Sequence, residues 1–236
     1  MADPVIHALL PAAGKGQRFG DALLKQYAPV AGKPVLAHAI ERIVAEPRIS
    51  GITVVLAEDD QQFQNLIGCQ YPDVRTTKGG GTRAKSVLNG LDAIRRSDST
   101  VEWVLVHDAA RPWLPGDCLR RLLRQGLGHP DGAILAVPVR DTLMRRVESG
   151  RVAETVRRDG LWSAQTPQLF PLNRLRRALR DCLESGRVPT DESAAMERTG
   201  ARPLLVMGSS LNVKITYPGD IDIVETWFRC GEGKSP

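Results

Sequence analysis

Glycines and cations gather in this chain at spacings that suit one kind of chemistry, the handling of phosphate esters. In "PAAGKGQRFGDALLKQY", residues 11–27, the small residues Ala12, Ala13, Gly14 and Gly16 would let backbone N–H groups approach an anion closely. Arg18 offers a planar fork that matches two phosphate oxygens, and Lys25 offers a point charge. The loop is not a Walker A loop, because the position of its second glycine is Phe19 counted from Gly14 and Asp21 counted from Gly16. It is not the dinucleotide fingerprint either, since Phe19 replaces that motif's last glycine. A second glycine cluster, "KGGGTRAKS", runs from Lys78 to Ser86 and leads into a helical pattern whose N-terminus can face an anion. "HDAARP" supplies Asp108 and Arg111, "RDT" covers residues 140–142, and "NVKIT" carries Lys214 inside an apolar segment. A lone lysine in such a segment implies an anionic partner. Plainer readings stand beside these. Asp108 could cap a local turn, Arg111 could brace it, and His107 and His38 fit packed positions better than a general base or a ligand. No Ser-His-Asp or Cys-His arrangement competes, so the pattern favours phosphate chemistry by positioning and electrostatics without a covalent nucleophile.

Positioning these residues is the work of alternating strands and helices. "VIHALL", "GITVVLA", "VRTT", "VEWVLVHDA" and "GAILAVPV" read as strands. Between them, "PVLAHAIERIVAE", a short segment near 59–67, "RAKSVLNGLDAIRRS" and "PGDCLRRLLRQGL" read as helices, with Pro34 placed for a first helical turn. This order predicts an α/β fold with a mostly parallel sheet and helices on both faces. The strand-end loops of such a sheet are where ligands bind, and those loops hold the candidates above. After Pro138 the rhythm changes. "VRDTLMRRVESGRVAETVRRDGLWSAQ" alternates apolar and polar residues around "ESG", which predicts a β-hairpin arm at about 139–162 that leaves the main sheet. Such a ribbon is marginal alone in water, so a second subunit is expected to cover it. Helices over about 171–185 and 191–199, strands "PLLVM" and "NVKIT", and a last helix from Pro218 complete the expectation, with a fraying "GEGKSP" tail.

Composition narrows the function classes. The 236 residues, 42% hydrophobic and 25% charged, suit one globular α/β domain spanning 1–236. A net charge of +5 fits an anionic partner, yet sparse aromatics and scattered cations argue against nucleic acid. Cys69, Cys118, Cys182 and Cys230 show no zinc-site spacing, and the start of the chain has no signal-peptide pattern, so reduced thiols in a cytoplasm are expected. No apolar run reaches the length of a membrane span.

The segments "PAAGKGQRFG…KQY", "GGGTRAKSVLNGL", "VHDAARP", "VRDT", "GLWSAQTPQLF", "TDESAAME" and "NVKIT.PGD" occur in this order across nearly the whole chain. Together they resemble the 2-C-methyl-D-erythritol 4-phosphate cytidylyltransferases of the non-mevalonate isoprenoid pathway. The resemblance implies a Rossmann-like domain of the nucleotide-diphospho-sugar transferase type, CTP and Mg²⁺, leaving pyrophosphate, and a homodimer whose arms exchange contacts. It implies that Ala12, Ala13, Gly14, Gly16, Arg18 and Lys25 line the triphosphate, that Gly80 and Ser86 sit by the cytosine, and that Asp108 and Ala109 sit by the ribose or metal. Lys214 would approach the α-phosphate. Thr142, Arg158, Thr166 and Thr190 would face the acceptor, with Thr142 and Arg158 reaching it from the neighbouring subunit. Leu24 before Lys25, and Gly81 and Thr82 after Gly80, depart from the family's common pattern. Two other readings stay open: CMP transfer to ribitol 5-phosphate, and a catalytically silent nucleotide binder. The presence of Arg18, Lys25 and Lys214 counts against the second.

Overall fold

The computed structural model describes residues 3–14, 19 and 24–231. Among them, in chain order, run β1 (Ile6–Pro11), the two-residue strands β2 (Pro29–Val30) and β3 (Lys33–Pro34), α1 (Val35–Val44), β4 (Ile49–Leu56), α2 (Gln62–Leu66), β5 (Arg75–Lys78), α3 (Arg83–Ser97) and β6 (Trp103–Val106). Then follow α4 (Gly116–Gly126), β7 (Ala133–Pro138), β8 (Leu143–Arg146), β9 (Val152–Val156), β10 (Trp162–Pro171), α5 (Leu172–Glu184), α6 (Glu192–Glu197), β11 (Leu204–Met207) and α7 (Asp220–Gly231).

Seven strands form one sheet in the order β11-β7-β10-β6-β1-β4-β5. β1 pairs in parallel with both β4 and β6, and β7 with β11, whereas β10 runs antiparallel between β6 and β7. β1 is a near-continuous apolar run because helices cover both faces of the sheet. Ile6, Ala8 and Leu10 pack with Leu36, Ile40 and Ile43 of α1 and Leu119, Leu122 and Leu123 of α4. Leu9 faces the other way, into the layer of Val87, Leu91 and Ile94 from α3 and Leu175 and Leu179 from α5. A smaller cluster joins Val30, Val35, Ile215, Val224 and Phe228, which seats α7 against the start of α1.

The structure departs from the sequence expectations in three places. "GLWSAQ" does not simply end the arm; from Trp162 on it begins β10, which crosses the middle of the sheet. Pro167 has no N–H to give a ladder, and the β10–β7 register shifts between Ala164 and Gln168. "NVKIT" is not a strand. Its Ile215 N–H donates to the Ala110 carbonyl at 2.8 Å, and Asp220 accepts from the N–H groups of Thr216 and Tyr217, so the segment is pinned to loops rather than to a ladder. Pro34 precedes α1 instead of lying in its first turn. The arm is present: β8 and β9 pair antiparallel as a two-stranded ribbon apart from the main sheet. The tail "GEGKSP" lies almost wholly outside the described residues. No helix among the described residues is long and apolar enough to cross a membrane.

Candidate active site

A cleft of about 700 Å³ opens beyond the C-terminal ends of β1, β5 and β6. Its first wall is the end of β1. The Ala12 N–H donates to the Val55 carbonyl at 2.8 Å, and the buried Gln26 amide donates to the Ala12 carbonyl at 2.8 Å. Ala12, Ala13, Gly14 and Lys25 all line the cleft. Gly16 and Arg18 lie outside the described residues.

The second wall is the loop from β5 to α3. Gly79 has to be glycine, because a Cβ there would lie 2.6 Å from the Ala13 Cβ and 2.8 Å from the Ser86 Oγ. That closeness brings the two loops together. Thr82 caps α3, its Oγ1 accepting from the Lys85 N–H at 3.1 Å. The Ser86 hydroxyl accepts from the Gly80 N–H at 3.0 Å and lies 2.9 Å from the Thr82 carbonyl, so it closes the loop on itself.

Asp108 is the hub at the end of β6. Its Oδ2 lies 2.9 Å from Lys214 Nζ and 3.4 Å from Arg111 Nε, and its Oδ1 lies 3.1 Å from Arg83 Nη2. Arg83 grips Glu192 with the same guanidinium, Nη1 to Oε1 at 2.5 Å and Nη2 to Oε2 at 3.1 Å. Burial alone would raise the Asp108 carboxyl, but Arg83, Lys214 and Arg111 hold it well below the usual carboxylate range. Among the described residues, Arg83, Arg111 and Lys214 gather around Asp108 and Glu192, and Lys25 lines the same cleft, while burial pushes the Glu192 carboxyl up even with Arg83 against it, so the balance around the cleft favours an incoming anion. Lys214 is half-buried and lines the cleft. Arg111 is buried and also donates to the Asn212 carbonyl at 2.6 Å, so it braces the loop.

The remaining candidates divide. Ala109 lines the cleft. Thr166 is 4% exposed and turns its hydroxyl inward, where Oγ1 accepts from the Asp108 N–H at 2.9 Å and sits 3.1 Å from His107 Nδ1. His107 is fully buried, which lowers its pKa to about 4 and leaves it neutral and out of the cleft. Thr190 is exposed just before the α6 cap Asp191. Thr142 and Arg158 stand on the exposed arm, outside the lining of this cleft, with Arg158 Nη1 donating to the Arg140 carbonyl. Arg83, Glu192 and Asn212 were not singled out from the sequence. Arg83 had one usable signal: a cation in a helix's first turn opposes the helix dipole, so an acid should lie beside it.

Asp108 is the one carboxylate among the described residues lining the cleft, and no group of three or more acidic, His or Cys side chains among the described residues could hold a metal ion. Mg²⁺ characteristically takes one or two carboxylates, substrate phosphates and water. Among the described lining residues, Asp108 alone supplies such a carboxylate, and because Arg83, Arg111 and Lys214 hold both its oxygens, an ion carried in by a polyphosphate would need Lys214 to release Oδ2 first.

Comparison with known proteins gives a consistent result. The family model for IspD, 2-C-methyl-D-erythritol 4-phosphate cytidylyltransferase, matches residues 6–229. The 2-C-methyl-D-erythritol 4-phosphate cytidylyltransferase of Stenotrophomonas maltophilia (strain K279a) is 48% identical over 220 residues, which cover 93% of this chain and 95% of the relative. That of Shewanella oneidensis is 44% identical over 221 residues, covering 94% and 87%. A crystal structure of 4-diphosphocytidyl-2C-methyl-D-erythritol synthase is similar with a TM-score of 0.84 at 39% identity, covering 96% of this chain and 100% of the other. The synthase of Anaerococcus prevotii DSM 20548 gives 0.82 at 28% identity, covering 96% of each chain.

Proposed function

The chain belongs to the 2-C-methyl-D-erythritol 4-phosphate cytidylyltransferase family, and we infer from this that it transfers CMP from CTP to 2-C-methyl-D-erythritol 4-phosphate. The products are 4-diphosphocytidyl-2-C-methyl-D-erythritol and pyrophosphate. The observation that carries the site assignment is the Asp108 hub, which gathers Arg83, Arg111 and Lys214 at the mouth of two glycine loops.

An acceptor phosphate oxygen attacks the α-phosphorus of CTP in line, a new P–O bond forms, and the bond to the bridging oxygen of the β-phosphate breaks. The attacking phosphate is ionised at neutral pH, so no general base is required. The barrier is the crowding of two anions. Ala12, Ala13, Gly14 and Gly16 bring backbone to the triphosphate, Arg18 and Lys25 close over its charge, and Lys214 turns from Asp108 to the α-phosphate, where negative charge builds up. Gly80 and its neighbours meet the cytosine through backbone groups that Ser86 holds in place. Asp108 and Ala109 meet the ribose. Bound Mg²⁺, with Asp108 as its protein ligand, would offset charge on the phosphate oxygens and orient them. Thr190 lies at the acceptor end, and Thr166 supports Asp108 from behind. Thr142 and Arg158 reach the acceptor of a second subunit, in a cytoplasmic homodimer joined through the arms.

The test is pyrophosphate release from CTP and Mg²⁺ with 2-C-methyl-D-erythritol 4-phosphate and ribitol 5-phosphate as parallel acceptors. Release with the first alone is expected. Release with ribitol 5-phosphate alone would keep the chemistry and overturn the acceptor, and silence with both in folded protein would overturn the enzyme.

A further inference from the structure

Glu192 is fully buried, yet it is not part of the cleft lining. It opens α6, whose N-terminus is fastened to β10: Gln168 donates to Asp191 Oδ2 at 2.9 Å and accepts from the Ser193 N–H at 2.9 Å. The Asp191 side chain caps the same turn by accepting from the Ala194 N–H at 2.9 Å. The carboxylate of Glu192 therefore stands at a place fixed by the sheet. Its partner Arg83 is one-third exposed, lines the cleft, and sits at the N-terminus of α3, where the helix dipole repels a cation.

A buried ion pair of this kind is a weak source of stability, because desolvation offsets most of the attraction. What the pair does supply is geometry. Held in the Glu192 fork, Arg83 shares its Nη2 between Glu192 Oε2 and Asp108 Oδ1, which leaves Asp108 Oδ2 to Lys214 and Arg111. Without Glu192, the whole guanidinium would be free to take both Asp108 oxygens or to follow a phosphate. We propose that Glu192 is a positioning residue for the transfer step, acting through Arg83 to set the Asp108 carboxylate and, from it, the stance of Lys214. The proposal rests on the cytidylyl transfer inferred above.

Steady-state pyrophosphate release is measured for the wild-type protein, Glu192→Gln, Arg83→Lys and the double variant, each after a thermal melt. Glu192→Gln is expected to lower kcat by roughly tenfold to a hundredfold, the scale of a small misplacement of catalytic groups, while KM for CTP stays within about threefold. The double variant should be no slower than Arg83→Lys, because Glu192 acts only through that guanidinium. Wild-type kcat in folded Glu192→Gln overturns the proposal. So does a loss carried wholly by KM, or losses that multiply in the double variant. If Glu192→Gln does not fold, Glu192→Asp carries the test, since it keeps the charge and withdraws it by one methylene; a kcat-selective loss supports the proposal and wild-type kcat overturns it. A wild-type protein that releases no pyrophosphate overturns the reaction and the positioning role together, whereas an active wild type with an indifferent Glu192→Gln overturns the positioning role alone.

Discussion

At the scale of the residue, the site is a problem of where one positive charge stands. Lys214 Nζ rests 2.9 Å from Asp108, close enough to be held but half-buried at the cleft, so that it can exchange the carboxylate for a phosphate. On the proposed mechanism, Lys214→Ala removes a contact made where charge develops, and should lower kcat by about a hundredfold, on the order of 3 kcal/mol. Lys25→Ala should do the same from the triphosphate side. Both are read in the pyrophosphate assay at saturating CTP, and near wild-type kcat in both variants would reject charge stabilisation as the source of the rate. Residues of this sort were legible in the sequence because their types are conspicuous where they stand. Glycines crowd two strand ends, an aspartate follows an apolar run, and a lysine interrupts another. They do meet in one cleft, as far as the described residues reach. Glu192 and Asn212 were not legible for the opposite reason, and Arg83 only through its clash with the helix dipole. A charged residue near a helix start reads as solvated, and an asparagine in a loop reads as a turn. Their importance comes from burial, which depends on which strand lies beside them.

At the scale of the element, that strand is β10. The parallel strands and their helices were legible from apolar runs and helical periodicity, since β1, β4, β6 and β7 are buried on both faces and α1, α3, α4 and α5 each keep one apolar side. β10 was not, because a proline argues against a central strand and its first residues continue the alternation of the arm. Yet β10 supplies Thr166 to Asp108 and Gln168 to α6, so the hidden strand is the one that organises the hidden residues. The second wall depends on a tight seat between α3 and the sheet. At Gly90 a Cβ would lie 2.5 Å from Leu9 Cδ1 and 2.8 Å from Val55 Cγ2. Gly90→Ala gains about 1 kcal/mol of helix propensity but overpacks that seat, at a cost of roughly 1–3 kcal/mol or more. The net expectation is a lower urea midpoint. Because α3 carries Arg83 and Ser86, KM for CTP should rise with it. An unchanged or higher midpoint would show that α3 can lift from the sheet without loss.

At the scale of the whole molecule, the arm is the part that the rest of the chain does not explain. β8 and β9 form an isolated two-stranded ribbon, and such ribbons are marginal in water. Met144 is 55% exposed and Val152 62%, and Leu143, Val147 and Trp162 are exposed nearby. The single cross-strand ion pair, Arg145 with Glu154, is itself exposed and contributes little. A ribbon with this much uncovered apolar surface is stable if something packs on it, and the proposed occupant is a second copy of the chain. The same proposal accounts for the placing of Thr142 and Arg158, which stand on the arm and are absent from the cleft lining. Arg158→Ala should then raise KM for the acceptor while leaving kcat near wild type, and it should be rescued in trans. Mixed with Lys214→Ala under conditions that let subunits exchange, each mixed dimer has one site with intact Lys214 facing a partner arm with intact Arg158. Random pairing makes that roughly a quarter of all sites. At acceptor concentrations below KM, where both variants are slow alone, the mixture should recover about a quarter of the wild-type rate. No recovery, in a mixture shown to have exchanged, would mean that the arm serves its own subunit or that Arg158 does not meet the acceptor.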